Sequence, residues 1–205
     1  MSLKTHTQTL RTTLHPSSLH PGAASPLIPP DFTPTTELSV SFSSRAVELG
    51  TFFRAGECKA APRISFPPEA DSSVAVGETS YTFILTDPDA PTPDDPKFAF
   101  WRHWVVAGLK PGIYEENGEG EGRTLTKYLG PGPKDDSKPH RYLFLLYREP
   151  PNFTITPTDV GGEEFVQRRS FRPDEFAARH GLKLVGVNWM TCAGDGWVAP
   201  SPEEK

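Results

Sequence analysis

The stretch from Tyr81 to Val106, YTFILTDPDAPTPDDPKFAFWRHWVV, constrains the fold more than any other. Tyr81, Phe83 and Leu85 alternate with Thr82, Ile84 and Thr86, the period-two pattern of a strand. Asp87-Pro88-Asp89-Ala90-Pro91 follows at once. Proline fixes its own φ and pushes the residue before it toward extended backbone, so this acidic loop is stiff. Trp101 to Val106 reads as a second strand, with Trp101, His103 and Val105 on one face. The stretch therefore predicts a strand ending in a carboxylate, a rigid loop, and a neighbouring strand that carries a histidine.

The rest of the chain supports a mostly β fold. Its 205 residues include 23 prolines and 17 glycines, which makes helix scarce, and 11% aromatics, which suits a strand-rich core. A domain of this length buries roughly 70% of its unfolded surface and needs no staple. Leu38, Val40 and Phe42 alternate as a half-buried strand; Val47, Leu49 and Phe53 suggest a second, and Ile64 to Phe66 a short third. Asp71 to Glu78 reads as a polar turn region, Gly108 to Gly112 as a turn, and Asn117 to Gly122 as an exposed loop. His140 to Tyr147 is apolar on both faces beyond Tyr142, the mark of a central strand. Leu184 to Met190 is a final strand. One helix is predicted from Ser170 to Gly181, with Pro and acids in its first turn, Arg and His in its last, and Gly just beyond.

Residues 1–26 read as a flexible or loosely docked arm, and 27–205 as a single domain. The arm has no acidic residue, and its Leu3, Leu10 and Leu14 share a helical face. With only Lys4 and Arg11 for charge, it is a weak mitochondrial leader, and a cytoplasmic location is the main expectation. No apolar run is long enough for a signal peptide or a membrane span. A net charge of -5 argues against a broad nucleic-acid surface and leaves room for a small anion pocket. Cys58 and Cys192 have neither metal nor redox spacing and read as reduced, semi-buried thiols.

His103 and His140 each open a predicted strand after a Pro-rich loop, and Asp87 ends a neighbouring one. A carboxylate beside an imidazole fixes its tautomer, and the outward N–H then donates to an anion. The expectation is that Asp87 orients His103, that His103 and His140 hold the anion, that Tyr142 adds a hydroxyl and that Trp101 walls the site. Two histidines with two carboxylates also suit acid–base chemistry. No activated Ser or Cys nucleophile stands out. His103, His140 and Asp87 are formally a two-His, one-carboxylate metal set.

DPDAP followed by WRH resembles the first signature of the phosphatidylethanolamine-binding protein family, and the spacing from Asp87 to His103 is the one that family uses. Lys138-Pro139-His140-Arg141-Tyr142 is similar to its second signature. Tyr128-Leu129-Gly130-Pro131-Gly132-Pro133 is similar to the loop before it. The run Thr36 to Gly50 looks most like fungal members, among them the carboxypeptidase Y inhibitors. The resemblance implies a central antiparallel sheet packed by a smaller sheet and a few peripheral helices. It implies a pocket for small anions, phospholipid headgroups or dicarboxylates, lined by Asp87, Asp89, Pro91, Trp101, His103, His140 and Tyr142, with a cis bond at Ala90–Pro91. It implies no metal and no cofactor, and a protein partner such as a protease or a kinase that is regulated without catalysis. Inhibition of a serine carboxypeptidase through the N-terminal arm is one alternative. Acid–base chemistry at the His/Asp pocket in fungal anhydride or dicarboxylate biosynthesis is another. This chain departs from the pattern at Lys138, where the family has glycine, at Pro139, and at Phe100, where a polar residue is frequent. It also lacks the C-terminal amphipathic helix of mammalian members, which leaves Trp197 as a candidate to close the pocket.

Overall fold

Alternation in the sequence becomes two stacked sheets in the computed structural model, which describes residues 2–70 and 77–201. Ten strands form among the described residues: β1 Ser39–Phe42, β2 Arg45–Ala46, β3 Thr51–Arg54, β4 Arg63–Phe66, β5 Tyr81–Asp87, β6 Trp101–Leu109, β7 Gly112–Tyr114, β8 Arg123–Thr126, β9 His140–Arg148 and β10 Lys183–Ala193. Two α-helices join them, α1 Leu3–Leu14 and α2 Pro173–His180. The larger sheet has the order β3-β10-β9-β5-β6-β8 and the smaller β2-β1-β4-β7. Pairing is antiparallel except where β3 meets β10.

The fold is thus mostly β, with a central sheet, a smaller second sheet and few helices. β9 lies between β10 and β5, as its two-sided apolar pattern requires. Phe83, Leu85, Trp104, Phe144 and Leu146 point toward the small sheet and meet Leu38, Val40, Phe42 and Ile64. Ile84, Val105, Leu143, Leu145 and Val187 point the other way, under α1 and α2. Each such side chain contributes roughly 1.5–3 kcal/mol on burial, so the two faces of one sheet carry two cores. Cys58 and Cys192 are free, buried thiols of the inter-sheet core.

Two features here differ from the sequence reading, and part of a third lies outside the described residues. The strand read through Val47, Leu49 and Phe53 is broken: β2 stays in the small sheet and β3 joins the large one. The chain crosses between them at Leu49 and Gly50, both at positive φ. A Cβ on Gly50 would come within 2.8 Å of the Trp189 ring, so the crossing needs glycine. Part of the predicted turn at 71–78, residues 71–76, lies outside the described residues. Trp197 packs on Phe52 and over Arg54 at the β3 edge, away from the histidines.

The segment read as an arm is packed against the large sheet. Ser2 caps α1, its Oγ accepting from Thr5 N at 3.2 Å. Leu10, Leu14, Leu19 and Ala24 are buried in the helix-side core. Trp189 Nε1 donates to Thr13 Oγ1 at 3.2 Å, and Arg141 Nη1 donates to the carbonyls of Ser17 and Ser18, both at 2.9 Å. A threonine-rich helix has little intrinsic propensity, and packing of its leucine face is what holds it.

Candidate functional site

β5 runs antiparallel to both β6 and β9, so its C-terminal end meets the N-terminal ends of the other two. Asp87 pairs with Trp101 across that rim, and His140 starts β9 two residues before Tyr142. His103 reaches the same place by a different route. The β5–β6 register passes from Leu85↔Trp104 to Thr86↔Arg102, leaving His103 as an extra residue. A bulge of this kind re-aims a side chain. Val105 stays in the helix-side core, whereas the His103 ring lies 5.2 Å from that of Tyr142. The expectation that His103 and Val105 share a face is therefore corrected.

The orienting carboxylate is corrected too. Asp87 Oδ2 accepts from His140 Nδ1 at 2.9 Å, and Asp87 Oδ1 accepts from Asp89 N at 2.6 Å. His103 instead donates Nδ1–H to the Leu129 carbonyl at 2.6 Å. That contact fixes the proton on Nδ1 and leaves His103 Nε2 buried without a partner. Burial pulls the His103 pKa below its ordinary value, against the pull of nearby Asp87. Burial, with Asp87 adding to it, pushes the Tyr142 phenol well above its ordinary value and keeps it a donor. The Tyr142 ring lies nearly parallel to that of His140, 6.3 Å away.

The remaining expected residues take other roles. Asp89 accepts from Arg141 N at 2.7 Å, from Nε at 2.8 Å and from Nη2 at 2.5 Å, so Arg141 sits in a structural ion pair. Pro91 is exposed and follows a cis bond from Ala90. The Trp101 ring is covered by Phe165, 4.7 Å between centroids. Lys138 pairs with Asp94 at the surface, both side chains more than 60% exposed, and does not face the histidines. Phe100 is a core residue under the helices.

Two residues were not legible in the sequence. Ser137 Oγ lies 3.1 Å from His140 Nε2, 3.2 Å from Thr92 Oγ1 and 3.0 Å from the Lys138 carbonyl, so its single proton can serve one of these acceptors at a time. Its only sequence signal was a serine three positions before a histidine, which is common in turns. Arg168 is buried and donates Nη1 to the carbonyls of His103 at 3.1 Å and Lys127 at 2.9 Å, which holds the bulged backbone in place. Chemically, the rim offers a phenol donor and two imidazoles whose outer nitrogens become donors on protonation. Among the described residues, no group of three or more His, Cys, Asp or Glu is placed to hold a metal ion, and no helix is long and apolar enough to cross a membrane.

Two face-to-face sheets with an Asp/His/Tyr rim at one end of the larger define the class of β protein to which this chain belongs. It is a member of the phosphatidylethanolamine-binding protein family, whose family model matches residues 31–188. It is 32% identical over 142 residues to the carboxypeptidase Y inhibitor of Saccharomyces cerevisiae, a match that covers 58% of this chain and 65% of the inhibitor, just under two thirds. An uncharacterised protein of the same yeast is 35% identical over 162 residues, covering 75% of this chain and 79% of that one. A crystal structure of a carboxypeptidase Y inhibitor with its cognate proteinase superposes with a TM-score of 0.74 at 22% identity, covering 92% of this chain and 97% of that one. At that identity the likeness is one of fold.

Proposed function

We propose that this chain binds a small oxyanion of the phosphate type at His103, His140 and Tyr142, with Asp87 orienting His140, and that it acts on a protein partner without catalysis. The observation that carries the reading is His103 Nε2, a buried ring nitrogen with no partner, facing the same rim as Tyr142 and the His140–Asp87 pair. An unsatisfied buried polar atom costs about 1–3 kcal/mol. An oxyanion that brings a proton to that nitrogen relieves the cost with a charge-assisted bond. Calorimetry with inorganic phosphate and with phosphoethanolamine tests this, and separates a free anion from a headgroup. His103→Ala is expected to weaken binding about tenfold or more, since a charge-assisted bond is worth about 1.5–3 kcal/mol. Unchanged affinity sinks the assignment.

A second reading, inhibition of a serine carboxypeptidase, is favoured by the likeness to a yeast inhibitor of carboxypeptidase Y and to the fold of such an inhibitor in complex. In that case the protein partner is the protease itself.

A further inference from the structure

His140 uses Nδ1 to hold Asp87, so only Nε2 remains to meet a ligand, and Ser137 Oγ lies 3.1 Å from it. We infer that the Ser137 hydroxyl is a built-in occupant of the anion seat: it caps His140 in the empty protein, and an oxyanion binds by displacing it. This rests on the oxyanion reading above.

Three features support displacement. First, the hydroxyl is not orphaned when it leaves His140, because the Lys138 carbonyl of its own segment already stands 3.0 Å away and accepts its proton. The same sharing argues against a committed nucleophile, although Ser137, His140 and Asp87 follow the order of a hydrolase relay. Second, His103 and His140 are no more than 4% exposed, so a ligand enters only if a covering segment moves. Residues 131–139 are the segment bonded to the His140 outer nitrogen. Third, the ties of that segment across the rim are weak. They are the Ser137–Thr92 contact and the exposed Lys138–Asp94 ion pair, a kind worth little in water. A separate tie, Gly196 N donating to Asp135 Oδ1 at 2.9 Å, holds the segment from the other side while Ser137 lifts.

The competition predicts that removing the occupant tightens binding. Ser137→Ala should bind inorganic phosphate about fivefold more tightly than the wild type, the equivalent of one neutral hydrogen bond. Ser137→Thr, which restores a hydroxyl, should return the affinity toward the wild-type value, a rescue that a change of packing alone does not give. Thr92→Val serves as a second variant if Ser137→Ala does not fold: it removes a tie of the occupant and should also tighten binding. Equal or weaker binding by Ser137→Ala, or by Thr92→Val in its place, overturns the occupant role, while loss of affinity in His103→Ala leaves the anion site standing. Failure of both the wild type and Ser137→Ala to bind phosphate removes the site and the occupant together.

Discussion

Arg141 joins the loop of residues 87–91 to the N-terminal segment, and replacing it with methionine tests how much depends on that link. The Asp89 side chain is 1% exposed and its partner Arg141 18% exposed. Methionine keeps the apolar stem and the backbone N–H to Asp89 but removes the charge and the Nε and Nη2 bonds. It also frees the carbonyls of Ser17 and Ser18. Breaking a buried ion pair by removing one partner costs about 3–5 kcal/mol, because a carboxylate is left without compensation. Water that reaches the partly exposed guanidinium moves the figure toward about 3 kcal/mol. For a chain of this length each kcal/mol lowers the Tm by about 2–4 °C, so a fall of about 6–12 °C is expected. Urea denaturation at pH 7 gives the free energy, and hydrogen exchange should show α1 opening faster. In Arg141→Met with Asp89→Asn the orphan charge is gone, and much of the loss should return. A single variant within 1 kcal/mol of wild type, or a double variant as unstable as the sum of the singles, refutes the assignment of Asp89 as a buried carboxylate that depends on Arg141.

Acid should loosen α1. Burial lowers the pKa of His6, with Glu37 pulling the other way, so the docked helix holds this histidine neutral. Undocking returns it to about 6.5, so the stabilisation is intact above that pH and is lost as the pH falls below it. Protection factors over residues 3–14, which divide out the intrinsic pH dependence of amide exchange, should be lower at pH 5.5 than at 7.5, and His6→Phe should flatten the difference; equal protection in the wild type at the two pH values excludes the effect. For the protease reading, the intact chain should inhibit a serine carboxypeptidase stoichiometrically when titrated against it, and undiminished activity at excess removes that reading. Truncation of the first 25 residues is a poor probe there, since Leu10, Leu14 and Leu19 belong to the core.

Much of the fold is legible in the sequence where local pattern and tertiary environment agree. His140 to Tyr147 is apolar on both faces because β9 is central, and α2 carries its start and stop signals in residues 173–181. The leucine face of the N-terminal helix is visible in the sequence but its docking is not, because its threonines carry little helical preference and the sheet face that receives its leucines is built by residues far along the chain. The site divides the same way. Its residue types are visible in two short motifs, but the partner of Asp87 is not. β5 lies between β6 and β9, so Asp87 has a histidine strand on each side, and register rather than distance along the chain selects His140. Ser137 comes from a loop whose path depends on Thr92, Asp94 and Gly196.

The extra residue in β6 bears on how relatives are to be aligned. Side chains before and after His103 obey opposite parities, so matching strands by alternation slips by one there. A relative with one residue fewer between Trp101 and Trp104 would pair with β5 at this rim without the bulge. It would also have no imidazole turned toward Tyr142. Regular pairing and the placing of an imidazole beside Tyr142 thus compete for a single residue of chain length, and a one-residue deletion here is expected to leave the architecture while removing the proposed site.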